Sequence, residues 1–137
     1  MKIADHMTTD VVCANLEDGL YQTMERMRER NVRHMPVLDD QERIVGVISE
    51  RDIRRPKWVD DPNLARPYVL DNSVKVHEAM TGNPEVVAAS DPVERALDVL
   101  IADRFGALPV VDGERRVVGI ISTIDLLQAL RDLLAKR

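Results

Sequence analysis

The sequence predicts an α/β (α+β) protein built from two β-α-β-β-α units packed with pseudo-two-fold symmetry. Three observations predict it. The chain repeats itself without a gap, each copy carries an apolar stripe at helical spacing, and each copy then carries two β-branched runs divided by a polar turn. Sliding the sequence by 73 residues sets 7–52 on 80–125, with 46 positions in each copy. Twelve coincide: Met7, Thr8, Asp18, Pro36, Val37, Asp39, Arg43, Val45, Gly46, Ile48, Ser49 and Asp52. Nine of the twelve fall within the 17 positions from Pro36 to Asp52. The substitutions there exchange apolar for apolar, as in Met35/Leu108 and Val47/Ile120.

Each unit reads in the same order. A short extended stretch comes first, at 11–14 and 85–88. A helix follows. In the second unit Asp91 reads as its cap and Pro92 as its first residue, and Val93, Ala96, Leu97, Leu100 and Ile101 form the stripe. In the first unit Asp18 reads as the cap and Leu20, Met24 and Met27 as the stripe. Hairpins are expected over 32–48 and 107–121, with polar turns at 39–42 and 112–115. A second helix starts at Ser49 or Ser122. The later one is long, with Leu126, Leu127, Leu130, Leu133 and Leu134 on one side. The earlier one stops before Pro56. The expected division is unit one at 1–53, a linker at 54–74, and unit two at 75–137. Trp58 and Tyr68 suggest a linker packed on the fold.

Length and composition bound the function. The 137 residues hold about one domain's worth of chain and, at 45 % apolar and 31 % charged, enough core to fold without staples. A net charge of −5 disfavours a general nucleic-acid surface. Tyr21, Trp58, Tyr68 and Phe105 are scattered, so no base-stacking platform is expected. Cys13 stands alone, which excludes an internal disulfide and a thiolate metal cluster. His6, His34 and His77 have no ligand spacing, so no metal is expected. No signal core or membrane span is read, and the default expectation is a cytoplasmic protein.

The strongest local signal is Gly46-Val47-Ile48-Ser49-Glu50-Arg51-Asp52, echoed by Gly119-Ile120-Ile121-Ser122-Thr123-Ile124-Asp125. A strand end, a Ser, and an Asp three residues later describe a capped helix start. The same geometry can hold a phosphate on the hydroxyl and the free N–H groups, and a ribose on the carboxylate. Both readings fit the residues and do not exclude each other.

With these segments, the Met7-Thr8 and Met80-Thr81 openings, and the His34-Met35-Pro36-Val37 and Ala107-Leu108-Pro109-Val110 strands, the chain resembles a tandem pair of CBS domains, named after cystathionine β-synthase. The likeness covers about residues 1–132. It implies a disc-like pair and often a further homodimer. It also implies binding of AMP, ADP or ATP, and in some relatives S-adenosylmethionine or NAD. By that resemblance Ser49 and Ser122 contact phosphate, and Asp52 and Asp125 contact ribose. Adenine would lie against Val12, Cys13 and Ala14 with His34, Met35 and Pro36, and against Val86, Val87 and Ala88 with Ala107, Leu108 and Pro109. Ser stands where the family commonly has Thr.

The copies differ in charge. Arg51, Arg54, Arg55 and Lys57 follow the first Ser, whereas Thr123 and Ile124 follow the second. The first site is therefore expected to take the more charged nucleotide. No nucleophile–base pair or carboxylate dyad emerges, so a regulatory adenine-nucleotide module acting in trans on an effector protein is favoured over an enzyme. A constitutive dimerisation or scaffold module with vestigial clefts, or a sensor of S-adenosylmethionine or NAD, is the alternative. Adenine nucleotides are expected to bind and guanine nucleotides poorly. The leucines of the last helix are expected to form a homodimer face.

Overall fold

The computed structural model describes residues 1–63, 67–103 and 106–136; part of the expected linker, 64–66, lies outside them. The chain forms two compact units. One is Val12–Pro84; the other joins Met1–Val11 to Glu85–Arg137. These bounds differ from those expected, because each repeat gives its opening segment to the unit built by the other repeat.

In the unit Val12–Pro84, β1 (Ala14–Asn15) leads to α1 (Leu20–Arg30), β2 (His34–Leu38), β3 (Ile44–Ser49), α2 (Glu50–Arg54), α3 (Val76–Ala79) and β4 (Thr81–Gly82). The sheet order is β1-β2-β3-β4, with β1 parallel to β2 and the other pairs antiparallel. In the other unit, β5 (Val87–Ala88) leads to α4 (Val93–Asp103), β6 (Ala107–Val111), β7 (Val117–Ser122) and α5 (Thr123–Ala135), and the sheet order is β5-β6-β7. Thr8 bridges Ile120 on β7, which is the place β4 takes on β3 in the first unit, where Thr81 faces Val47.

The exchange explains two motifs at once. A Cβ on Gly46 would stand 2.6 Å from Met80 Sδ and 2.8 Å from the Thr81 carbonyl oxygen. A Cβ on Gly119 would stand 2.6 Å from Met7 Sδ and 3.1 Å from the Thr8 carbonyl oxygen. Each glycine lets the crossed-over Met-Thr segment lie close on the strand. The exchange also reaches back to the N-terminus. Ile3 N–H donates to the Asp91 carbonyl at 2.9 Å, and Val76 N–H to the Asp18 carbonyl at 2.8 Å.

Each unit has its own core. Leu20, Met24 and Met27 of α1 pack with Met35, Val37 and Ile48. Ala96 and Leu100 of α4 pack with Leu108, Val110, Ile121 and the crossed-over Ile3. The stripe expected on α4 is split. Val93, Ala96 and Leu100 are buried, but Leu97 and Ile101 face solvent.

The hairpin turns are made by one repeated device. Asp39 Oδ1 accepts from the N–H groups of Gln41 and Arg43, and Asp112 Oδ1 accepts from those of Glu114 and Arg116. Glu42 and Arg115 then take left-handed φ values of 62° and 63°.

The caps of α1 and α4 correct the sequence reading. Gly19 occupies the N-cap of α1, and Pro92 sits before α4 in a bridge with Lys2. Asp18 and Asp91 instead accept the N–H groups of Asn15 and Ala88, both at 2.9 Å, and so tighten the turn entering the helix. Asn72 supplies α1 with a side-chain cap from far along the chain, accepting Gln22 N–H at 2.8 Å. No helix among the described residues is long and apolar enough to cross a membrane.

Candidate functional site

Each candidate site begins where a strand ends on its serine. Ser49 closes β3 and caps α2; Ser122 closes β7 and caps α5. Ser49 N–H donates to Asp52 Oδ2 at 2.9 Å, and Asp52 N–H donates to Ser49 Oγ at 3.1 Å. The second copy repeats this at 2.8 and 3.1 Å. The capping reading is therefore realised in both units. It leaves room for the other reading, because each box uses one carboxylate oxygen of its aspartate. The remaining oxygen of Asp125 accepts from Thr8 Oγ1 at 3.4 Å. No equivalent bond from Thr81 to Asp52 is present among the described residues. Sequence reasoning missed Thr8 because it enters by the strand exchange.

The β2–β3 register sets His34 opposite Ser49, Met35 opposite Ile48 and Pro36 opposite Val47. The β6–β7 register sets Ala107, Leu108 and Pro109 opposite Ser122, Ile121 and Ile120. Alternation along a strand then sorts the expected wall. Met35 and Leu108 send their side chains into the two cores, as does Val87. That leaves the backbone groups of Met35 and Leu108 to meet a ligand, whereas Val87 also lines a cavity together with Val86 and Ala88. Ala14 pairs with Val37, so the residues entering β1 come alongside β2; Val12 and Cys13 there are half-buried. Val86 and Ala88 are likewise half-buried beside β6.

His34 is the titratable group of this frame. Burial pushes its pKa below the ordinary value of 6.5; Asp52 pulls it up and Arg33 pushes it further down. Cys13 is also shifted by burial, upward, which opposes thiolate formation. Its carbonyl accepts from Arg26 Nη1 at 3.1 Å.

The basic cluster expected after Ser49 is partly committed elsewhere. Arg54 pairs with Glu50 at 2.9 Å, one turn back on α2. Arg55 forks onto Asp60, with Nε 3.1 and 2.9 Å from the two carboxylate oxygens, and this bond holds Asp60 below the usual carboxylate range. Arg51 is exposed and has no ion pair among the described residues. A further cation was missed. Arg33 lies beside the helix start, 3.9 Å from Glu50. Its signal was the bond that Glu50 N–H makes to its carbonyl at 2.9 Å, which sequence does not display.

An apolar groove of about 400 Å³ runs along α4 and α5, lined by Leu97, Ile101, Leu127, Leu130 and Leu133 among others. It contains neither Ser122 nor Asp125.

Comparison with known proteins gives a consistent picture. A family model described as "CBS domain" matches residues 3–56 and 76–132. The chain is 31 % identical over 141 residues to an inosine-5′-monophosphate dehydrogenase of Methanocaldococcus jannaschii; the match covers 96 % of this chain and 25 % of that protein. The chain thus spans about a quarter of the dehydrogenase. It is 30 % identical to the uncharacterised protein YlbB of Bacillus subtilis, covering 91 % of this chain and 79 % of YlbB. Among solved structures, CBSX2 of Arabidopsis thaliana, determined in complex with AMP, matches with a TM-score of 0.80 at 27 % identity, covering 99 % of this chain and 98 % of that one.

Proposed function

Since this chain belongs to the CBS domain family, we propose that it is a regulatory module that binds adenine nucleotides, AMP, ADP or ATP, and passes its state to an effector protein. The observation that carries this reading is the doubled Ser–Asp box, set opposite His34 in one unit and Ala107 in the other. The AMP complex of CBSX2 supports the adenosine class. In each site the serine hydroxyl and adjacent N–H groups meet the phosphate, and the aspartate oxygen left outside the box accepts from a ribose hydroxyl. Adenine is held by the backbone of the short strands, whose donors and acceptors match its edge. Guanine would leave buried polar groups unpaired at a cost of roughly 1–3 kcal/mol.

The module is read as non-catalytic. Both serine oxygens accept backbone N–H bonds, and the two sites repeat each other, whereas a reaction centre would break the repeat. Two copies are read as joining through the exposed leucines of α5.

The test is calorimetric titration of AMP and ATP into the wild type, Asp52→Ala and Asp125→Ala. Each variant is expected to lose one of two sites and keep the other. Loss of the box costs each variant about 1 kcal/mol of stability, so both remain folded. Wild-type stoichiometry and affinity in both variants overturn the site assignment. Equal thermal shifts with ATP and GTP overturn the reading of the base.

A further inference from the structure

The two candidate sites share a backbone and differ in side chains. Glu50 N–H donates to the Arg33 carbonyl at 2.9 Å, and Thr123 N–H to the Gly106 carbonyl at 3.0 Å. His34 and Ala107 face their serines in the same register, and the two boxes agree to within 0.1 Å. Around this common frame the first unit sets Arg33, His34, Glu50, Arg51 and Arg54. The second sets Gly106, Ala107, Thr123, Ile124 and Leu127. Every ionisable group except the aspartate itself has been replaced by a neutral one.

The charge difference is local. Glu50 is held by Arg54 at 2.9 Å and approached by Arg33 at 3.9 Å, which leaves Arg51 as a surplus cation beside Asp52. At the other site Asp125 has no cation among these neighbours. Ile124 and Leu127 stand 60 % and 54 % exposed there. Exposed charges act over about 8 Å at physiological ionic strength, so these immediate neighbours set the field that a ligand meets. A phosphate chain beside Asp125 meets a like charge with no cation among the residues that replace Arg33, Arg51 and Arg54, while Ile124 and Leu127 offer apolar surface.

We propose that the two sites prefer different classes of adenosine. The site at Ser49 and Asp52 prefers one with an anionic 5′-phosphate chain, and the site at Ser122 and Asp125, while still able to hold AMP, prefers one whose 5′ substituent carries no negative charge. This rests on the adenosine reading above.

The test titrates ATP and 5′-methylthioadenosine into the wild type, Arg51→Ile and Ile124→Arg. Both positions are exposed, so the exchanges leave the fold intact, and equal melting temperatures check this. The wild type is expected to bind each compound in the presence of the other at saturation. Arg51→Ile weakens ATP about tenfold and leaves 5′-methylthioadenosine unchanged. Ile124→Arg lets ATP compete for the second site. Raising salt weakens ATP and not the thioether. If both compounds bind but displace each other one for one in the wild type, or if neither exchange moves the ATP affinity, the division of ligands falls and the adenosine reading stands. If neither compound binds the wild type, both fall.

Discussion

The two units carry the same hairpin and the same Ser–Asp box, yet they end differently. After five residues of α2 the chain turns at Pro56 and folds back on its own unit. Trp58 enters the core there, and the Tyr68 ring meets it edge-on with centroids 5.8 Å apart. The Tyr68 hydroxyl donates to the Ile53 carbonyl, tying the returning segment to α2. Among the described residues after Ser122, no segment folds back onto the unit. The helix α5 runs for thirteen residues, and Leu127, Leu130, Leu133 and Leu134 stay about half exposed. The box starts a helix in both units, and the residues after it decide whether that helix is covered by its own chain or left open.

Removing the cover from the first unit should give the largest effect. Trp58→Ala deletes a buried ring from the core and is expected to cost about 3–5 kcal/mol in chemical denaturation. Leu130→Ala, on the open helix and measured in a Leu134→Glu background so that a second copy does not cover it, should stay within about 0.5 kcal/mol. Equal costs at the two positions would show that α5 is covered in solution as thoroughly as α2 is by Trp58.

The open face gives a second contrast. Leu130→Glu with Leu134→Glu is expected to leave the stability of the folded chain nearly unchanged and to abolish self-association. Light scattering should then fall from twice 15.5 kDa to 15.5 kDa. A wild type already at the lower mass at micromolar concentration removes the homodimer from the proposal.

The legible parts of the fold were those fixed by local chemistry. The hairpins followed from β-branched runs around Asp39 and Asp112, whose side chains make the turns by themselves. The boxes at Ser49 and Ser122 followed from three-residue spacing. What stayed hidden was set by distant partners. The exchange of Met7-Thr8 and Met80-Thr81 is a matter of which strand each meets, and a repeat reads the same whether its segments are exchanged or not. A trace of the longer exchange was present in Lys2/Lys75, Ile3/Val76 and Asp5/Glu78, which extend the repeat toward the N-terminus. Asn72 as the cap of α1 and Thr8 at Asp125 carry no such trace. In the candidate site, residue types were readable but their facing was not. Met35 and Leu108 belong to the cores, and Arg54 and Arg55 belong to Glu50 and Asp60.

The smallest effect separates His34 from Ala107, which hold the same place opposite their serines. Burial lowers the pKa of His34 below 6.5, against the pull of Asp52 and with the push of Arg33, while Ala107 cannot titrate. A histidine whose folded pKa is depressed binds its proton less readily folded than unfolded. The neutral ring therefore contributes stability that is fully present above about 6.5 and is lost as the pH falls through the lowered value. The wild type should thus lose more melting temperature between pH 7.5 and pH 5 than His34→Gln does. Ala107→His, which installs the ring in the other unit, should steepen that loss. The measurement is a pair of thermal melts on each of the three proteins. Parallel losses in the wild type and His34→Gln would mean that the ring is as well solvated folded as unfolded, and the two sites would then differ in fixed charge alone.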